Sequence, residues 1–352
     1  RKSGPQTTAD GAGPPSPYPQ NQRGAHRALL VLPIIDADRP RSQLREVMTN
    51  VFEVMANVVS PVFIIVGLST LIARRFQVEA QTLSRLLIYL FSPALVLDGL
   101  SRSQLGTDEF GRLVGVAFLM FGVMTLLAWG LTRLFGFDRR LASAFMLSII
   151  LVNMGNFGLP LNQFAFGEAG LRRALIFYVI SSVMANTLGI FLASRGTATV
   201  RDSVLNVFKV PLVYGLVIGL IINFGAVPVP LPIQRVIGLL GQAAVPGMMV
   251  VLGIQLAHTS VTSLRGRIGP IALASTTRLL IAPAVAFGLV SLFDLSGVGR
   301  QVAIIQASMP TAVMATVLAT EFENDTGFVT ATVMVDTLAS LVTLSVLLTL
   351  VG

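Results

Sequence analysis

The segment Asn153-Met154-Gly155-Asn156-Phe157-Gly158-Leu159-Pro160-Leu161-Asn162 decides how this chain folds. It lies inside residues 141–167, a run with no charged side chain. Such a run has the length and apolarity of a helix that crosses a bilayer. Yet these ten positions hold three Asn, two Gly and one Pro. Proline removes a backbone donor and clashes with the preceding turn. Glycine costs a helix interior about 1 kcal/mol against Ala. Asn side chains compete for the backbone's own partners. The segment therefore predicts a crossing helix unwound near its midpoint, with Gly155, Gly158 and Pro160 as the breakers. Unpaired backbone at that depth survives only inside protein or beside a wet cavity.

A second segment, Gln306-Ala307-Ser308-Met309-Pro310-Thr311, repeats the pattern of polar residues followed by a breaker. It too sits in a charge-free run, residues 301–320. Charge-free runs also cover 54–73, 113–132, 174–194 and 210–234. The chain as a whole is 53% hydrophobic and 12% charged, whereas soluble domains average about a quarter charged. We expect an all-α membrane protein with ten spans, near 50–73, 80–101, 110–134, 141–167, 171–194, 207–225, 232–258, 268–293, 301–321 and 327–351. Arg85 and Arg278 fall near the ends of the second and eighth spans, where a long side chain can snorkel to the interface.

The two halves match at a nearly constant offset. Ser60-Pro61 pairs with Val210-Pro211, Ser92-Pro93 with Val245-Pro246, and Met154-Gly155 with Met309-Pro310, at offsets of 150, 153 and 155 residues. Five spans per half is an odd number, so the second copy enters the membrane in the opposite sense. That is an inverted repeat, a common build among secondary transporters. Residues 48–194 form the first repeat, 195–206 the linker and 207–352 the second. Residues 1–47, Pro- and Gly-rich around Gly13-Pro14-Pro15-Ser16-Pro17, have no hydrophobic period and are expected to be a disordered tail, with Met48 the native start. Basic residues concentrate in the odd-numbered loops, which places those loops in the cytoplasm and both termini outside it.

The net charge of +8 does not signal nucleic-acid binding, because the basic residues sit singly or in pairs between apolar runs. There is no Cys, and His26 and His258 are the only histidines. Neither a thiolate nucleophile, nor a metal set, nor a phosphate loop is present, so we expect no enzyme, no metal and no cofactor. Two helices broken at matched points place four half-helix ends near the midplane. Half-helix N-termini attract anions through free N–H groups and partial positive charge. Asn153, Gly155, Asn156, Ser308, Pro310 and Thr311 are the candidate substrate-binding residues. Asp336 and Asp98 are candidates for proton or ion coupling, since carboxylates within spans face cavities or partners. Asp98 also has Arg102 one turn away. Gln255 and Gln306 either line the cavity or satisfy neighbouring helices.

These motifs resemble the auxin efflux carrier family. Asn153-Met154-Gly155-Asn156-Phe157-Gly158-Leu159-Pro160-Leu161 resembles its fourth-helix signature, Met309-Pro310-Thr311-Ala312-Val313-Met314-Ala315 its ninth-helix motif, and Ser92-Pro93-Ala94-Leu95 its second-helix motif. The likeness covers about residues 48–352. It implies ten helices in two inverted repeats, with spans 1, 2, 6 and 7 as scaffold and the broken spans 4 and 9 crossing in a transport domain. It also implies that Asn153 meets a substrate carboxylate and that Pro310 is the second crossover proline. In plant members a proline precedes that Asn; here Val152 does. The family carries auxin or malate-like and malonate-like acids. The short linker suits a bacterial inner-membrane carrier, and a homodimer through the scaffold is expected. The alternative is a sodium-coupled organic-anion symporter of the bile-acid type.

Overall fold

The computed structural model describes residues 41–103, 105–194, 205–258 and 267–352, with side chains from Met48. The expected tail and most of the expected linker lie outside the described residues. A helix over Arg41–Val54 begins ahead of the expected boundary at Met48. Every named element is helical, and Glu46–Gly352 forms one compact unit. Among the described residues, seven helices are long and apolar enough to cross a membrane. They are α1 (Met48–Phe76), α2 (Ala80–Ser101), α3 (Thr107–Leu134), α5 (Met154–Ala193), α7 (Leu231–Ala257), α8 (Ile268–Leu292) and α11 (Thr326–Val351). Between them stand α4 (Arg139–Ile150), α6 (Pro211–Phe224), α9 (Gly297–Ala307) and α10 (Val313–Glu321).

Proline explains much of the local geometry. Wide π-turns occupy Met55–Val59, Leu87–Phe91, Met154–Gly158 and Thr277–Ile281. Each is followed at the second position by a proline: Pro61, Pro93, Pro160 and Pro283. A proline cannot donate to the carbonyl one turn back and its ring crowds that carbonyl. Opening the turn by one residue relieves the clash without ending the helix. α5 bends differently. Gly167 adopts φ +62° and ψ −156°, a left-handed region that glycine enters at little steric cost. The helix is kinked there, which splits α5 into two rods.

α1 packs on α7, and α2 on α6 and α7. These contacts depend on glycine. A Cβ on Gly253 would strike the Val66 carbonyl, and one on Gly215 would sit 2.7 Å from the Pro93 oxygen. Thr70 Oγ1 donates to the Gly253 carbonyl at 2.9 Å, across the same seam. The remaining helices pack among themselves: α3 on α4 and α8, α5 on α9, and α11 on α4 and α10. Arg173 clamps Glu109 with two bonds of 2.6 and 3.0 Å, fixing α5 to α3. Phe63 of α1 meets Phe157 of α5 edge-on at 5.5 Å. The surface carries many large apolar side chains, among them Leu68, Leu71, Leu126, Ile221, Leu239 and Leu338. In water such a coat would be an aggregation hazard; in lipid it is the expected exterior.

Candidate functional site

The helix of α4 stops at Ile150. Leu151 takes φ −84° and ψ 100°, and Asn153 φ −79° and ψ 55°. The unwound residues are therefore Leu151–Asn153, upstream of Gly155 and Pro160. Gly158 already has helical angles, and Pro160 lies within α5, two residues past the wide turn Met154–Gly158 that accommodates it. The second break runs from Ser308 to Ala312, between α9 and α10, and does contain Pro310.

The two breaks satisfy each other. Asn153 N–H donates to the Pro310 carbonyl at 2.9 Å, and Ala312 N–H to the Leu151 carbonyl at 2.8 Å. This is a one-pair antiparallel bridge between Val152 and Thr311. It supplies backbone partners at a depth where neither water nor a helix ladder does.

Side chains lock the bridge from behind. Gln306 is fully buried and donates to the carbonyls of Met154 and Ala174, each at 3.4 Å. Asn162 donates to the Gly158 carbonyl at 2.7 Å. Ser308 returns its hydroxyl to the Ile304 carbonyl at 2.6 Å. Thr311 Oγ1 lies 2.6 Å from both the Ser148 carbonyl and Asp336 Oδ2. Asp336 is completely buried, and its other oxygen has no partner of ordinary geometry.

Arg278 corrects an expectation. It does not snorkel; it is 1% exposed and lies in the π-turn of α8. Its guanidinium donates to the carbonyls of Met309 at 3.0 Å, Ile149 at 3.1 Å and Ala307. These carbonyls belong to the C-terminal ends of α4 and α9 and to the break beyond α9. Such ends carry partial negative charge and orphan acceptors. A planar fork that is always charged answers both needs. The sequence offered no local sign of this role, because the three acceptors are far from Arg278 along the chain.

A cavity of about 360 Å³ opens on the other side of the crossover. Asn153, Gly155 and Asn156 line it, with Tyr178, Ser181, Ser182 and Asn186 from α5, Ser84 and Ser92 from α2, Gln255 from α7, and Lys209 just before α6. Asn153 is 6% exposed and lines the cavity, and among the described residues its side chain has no hydrogen-bond partner. Gly155 keeps the space open: a Cβ there would lie 2.5 Å from the Tyr178 ring. Ser308, Pro310 and Thr311 do not line this cavity; they sit in the bridge and its support. Asp98 lies elsewhere, paired with Arg102 at 2.9 Å beside a separate pocket of about 240 Å³. Among the described residues no cluster of three His, Cys, Asp or Glu could hold a metal.

Apolar helices, a paired break and a polar cavity define a multi-pass membrane transporter. A family model described as "Membrane transport protein" matches the chain twice, over residues 53–204 and 197–348. The chain belongs to that family, which is the auxin efflux carrier type, and it is a transporter rather than an enzyme. It is 30% identical over 268 residues to an uncharacterized transporter of Methanothermobacter thermautotrophicus, covering 76% of this chain and 87% of the relative. It is 29% identical over 275 residues to an uncharacterized transporter of Methanocaldococcus jannaschii, covering 76% and 88%. It is 26% identical over 315 residues to a putative malonate transporter of Rhizobium meliloti, covering 84% and 96%.

Proposed function

We propose that this protein is a secondary carrier that moves a small organic anion across the cytoplasmic membrane by alternating access. The observation that carries the reading is Asn153: a nearly buried amide without a protein partner, at the start of a half-helix, facing a polar cavity. Amide donors and a helix N-terminus suit a carboxylate. Among malate, malonate and auxin-like acids, the Rhizobium relative's name favours a short diacid. Ten crossings in two inverted five-helix repeats would give the mechanism its form. α1, α2, α6 and α7 would stay in place while the bridged breaks and their neighbours travel as an elevator. Both termini would then lie outside the cytoplasm, and two copies would meet through the stationary helices.

Asp336 is proposed as the coupling group. The Thr311 hydroxyl has one proton and two acceptors at 2.6 Å. A proton on Asp336 would complete the chain from carboxyl to hydroxyl to the Ser148 carbonyl. The sodium-coupled alternative is disfavoured by Arg278, which already occupies three of the carbonyls that a cation at the breaks would need. The test is uptake of labelled malonate, malate and indole-acetate into proteoliposomes, with sodium and with choline in its place. No uptake of any acid, or uptake that vanishes without sodium, would overturn the reading.

A further inference from the structure

Among the described residues, Lys209 is the one charged residue lining the cavity, and no carboxylate lines it. Among the described residues it forms no ion pair. Its backbone is held in place: Lys209 N–H donates to the Asn206 carbonyl at 3.1 Å, and Val210 N–H to Val207 at 3.2 Å. Tyr214 also donates to the Phe208 carbonyl at 2.7 Å. The ammonium thus swings from an anchored turn.

Its position is costly for stability. α6 starts at Pro211, so Lys209 adds a positive charge to the positive pole of a 14-residue helix, where an acidic residue would be the stabilising choice. A cation ahead of a helix N-terminus, lining a cavity with no carboxylate among the described residues, is arranged for an incoming anion. Asn153 offers a second and separate attraction at the crossover, from a break deep in the chain's apolar run rather than from its edge. A cavity of about 360 Å³ has room for a short acid between them.

We propose that Lys209 binds the second carboxylate of a short dicarboxylate whose first carboxylate meets Asn153, so that Lys209 sets the preference for diacids over monoacids. The inference rests on the carrier reading above and adds to it a residue and a substrate class. Neighbouring groups fit: Ser84, Ser182 and Asn186 supply neutral donors around the same space, and none opposes a negative charge.

The test compares malonate with its half-amide, which has the same length and a single carboxylate. Uptake of each is measured in proteoliposomes for wild type, Lys209→Gln and Lys209→Arg at matched incorporation. The expected result is a rise of about tenfold in the malonate KM for Lys209→Gln, half-amide uptake within twofold of wild type, and substantial recovery of malonate uptake in Lys209→Arg. A parallel fall for both acids would overturn the proposal, since Lys209 would then serve any anion. Unchanged kinetics for both would overturn it too, leaving Lys209 as a topological charge. Wild-type vesicles that take up neither acid would overturn the carrier reading as well.

Discussion

Arg278 Nε donates to the Met309 carbonyl at 3.0 Å, one residue before the proline of the second break. The same guanidinium reaches Ile149, at the end of the helix that leads into the first break. One side chain from a third helix therefore closes the ends of two interrupted ones. The positive poles of the following half-helices are left to the cavity, and the negative poles are answered within the protein.

Arg278→Met should be the most damaging of the substitutions considered. It strands the three carbonyls that the guanidinium serves. A buried acceptor left without its donor costs about 1–3 kcal/mol. Thermal unfolding in detergent should show a large drop in midpoint. Arg278→Lys should recover part of it, because a point charge cannot reproduce the fork. A variant as stable as wild type would mean that the carbonyls find other donors.

Gly158→Ala should fail for a steric reason that can be relieved. Its Cβ would run into the side-chain amide of Gln306, which is buried and bonded to two carbonyls. Overpacking of this kind costs about 1–3 kcal/mol. Shortening the obstacle in Gly158→Ala/Gln306→Ala should yield a smaller loss than the two single changes summed. Strict additivity in thermal unfolding would contradict the contact.

Asn153→Ala and Asn162→Ala should separate binding from structure. Asn153 has no protein partner for its amide, so its removal should abolish uptake while shifting the unfolding midpoint little. Asn162 donates to Gly158, and losing a buried bond costs about 1–3 kcal/mol. Its removal should lower stability first. Wild-type transport in Asn153→Ala would remove that residue from the site.

Asp336→Asn tests coupling. The amide can still meet Thr311 but cannot release a proton. Uptake driven by a pH gradient should fall to the level seen without one, while exchange of internal for external acid at equal pH persists. Gradient-driven uptake equal to wild type would place the proton elsewhere.

Much of this arrangement was legible in the residues. Asn153 through Pro160 and Ser308 through Thr311 marked both interruptions, because Gly, Pro and Asn in a charge-free run oppose a helix through local physics. The exact unwound residues were not legible. Pro160 reads as a breaker, but the backbone opens earlier, at Leu151–Asn153, and the wide turn before Pro160 keeps it inside α5. Arg278 was misjudged for a different reason. An isolated Arg in a span reads as a candidate for the interface, and only the folded backbone reveals which carbonyls need it. Lys209 has no local sign of its place, since nothing in its neighbours along the chain tells a topological lysine from one that lines a cavity. The pairing of Asp98 with Arg102 follows from i, i+4 spacing, where periodicity alone decides the contact.

The bridge of Val152 and Thr311 is written in peptide groups, and this gives it an unusual immunity. A change of side chain at Val152 leaves both links of this rivet in place, whereas one at Thr311 also removes the hydroxyl that ties it to Ser148 and Asp336. Only an imino acid at position 153 or 312 deletes a strand of it. Substitutions in the lining of the cavity can thus change what it admits without touching these two peptide links.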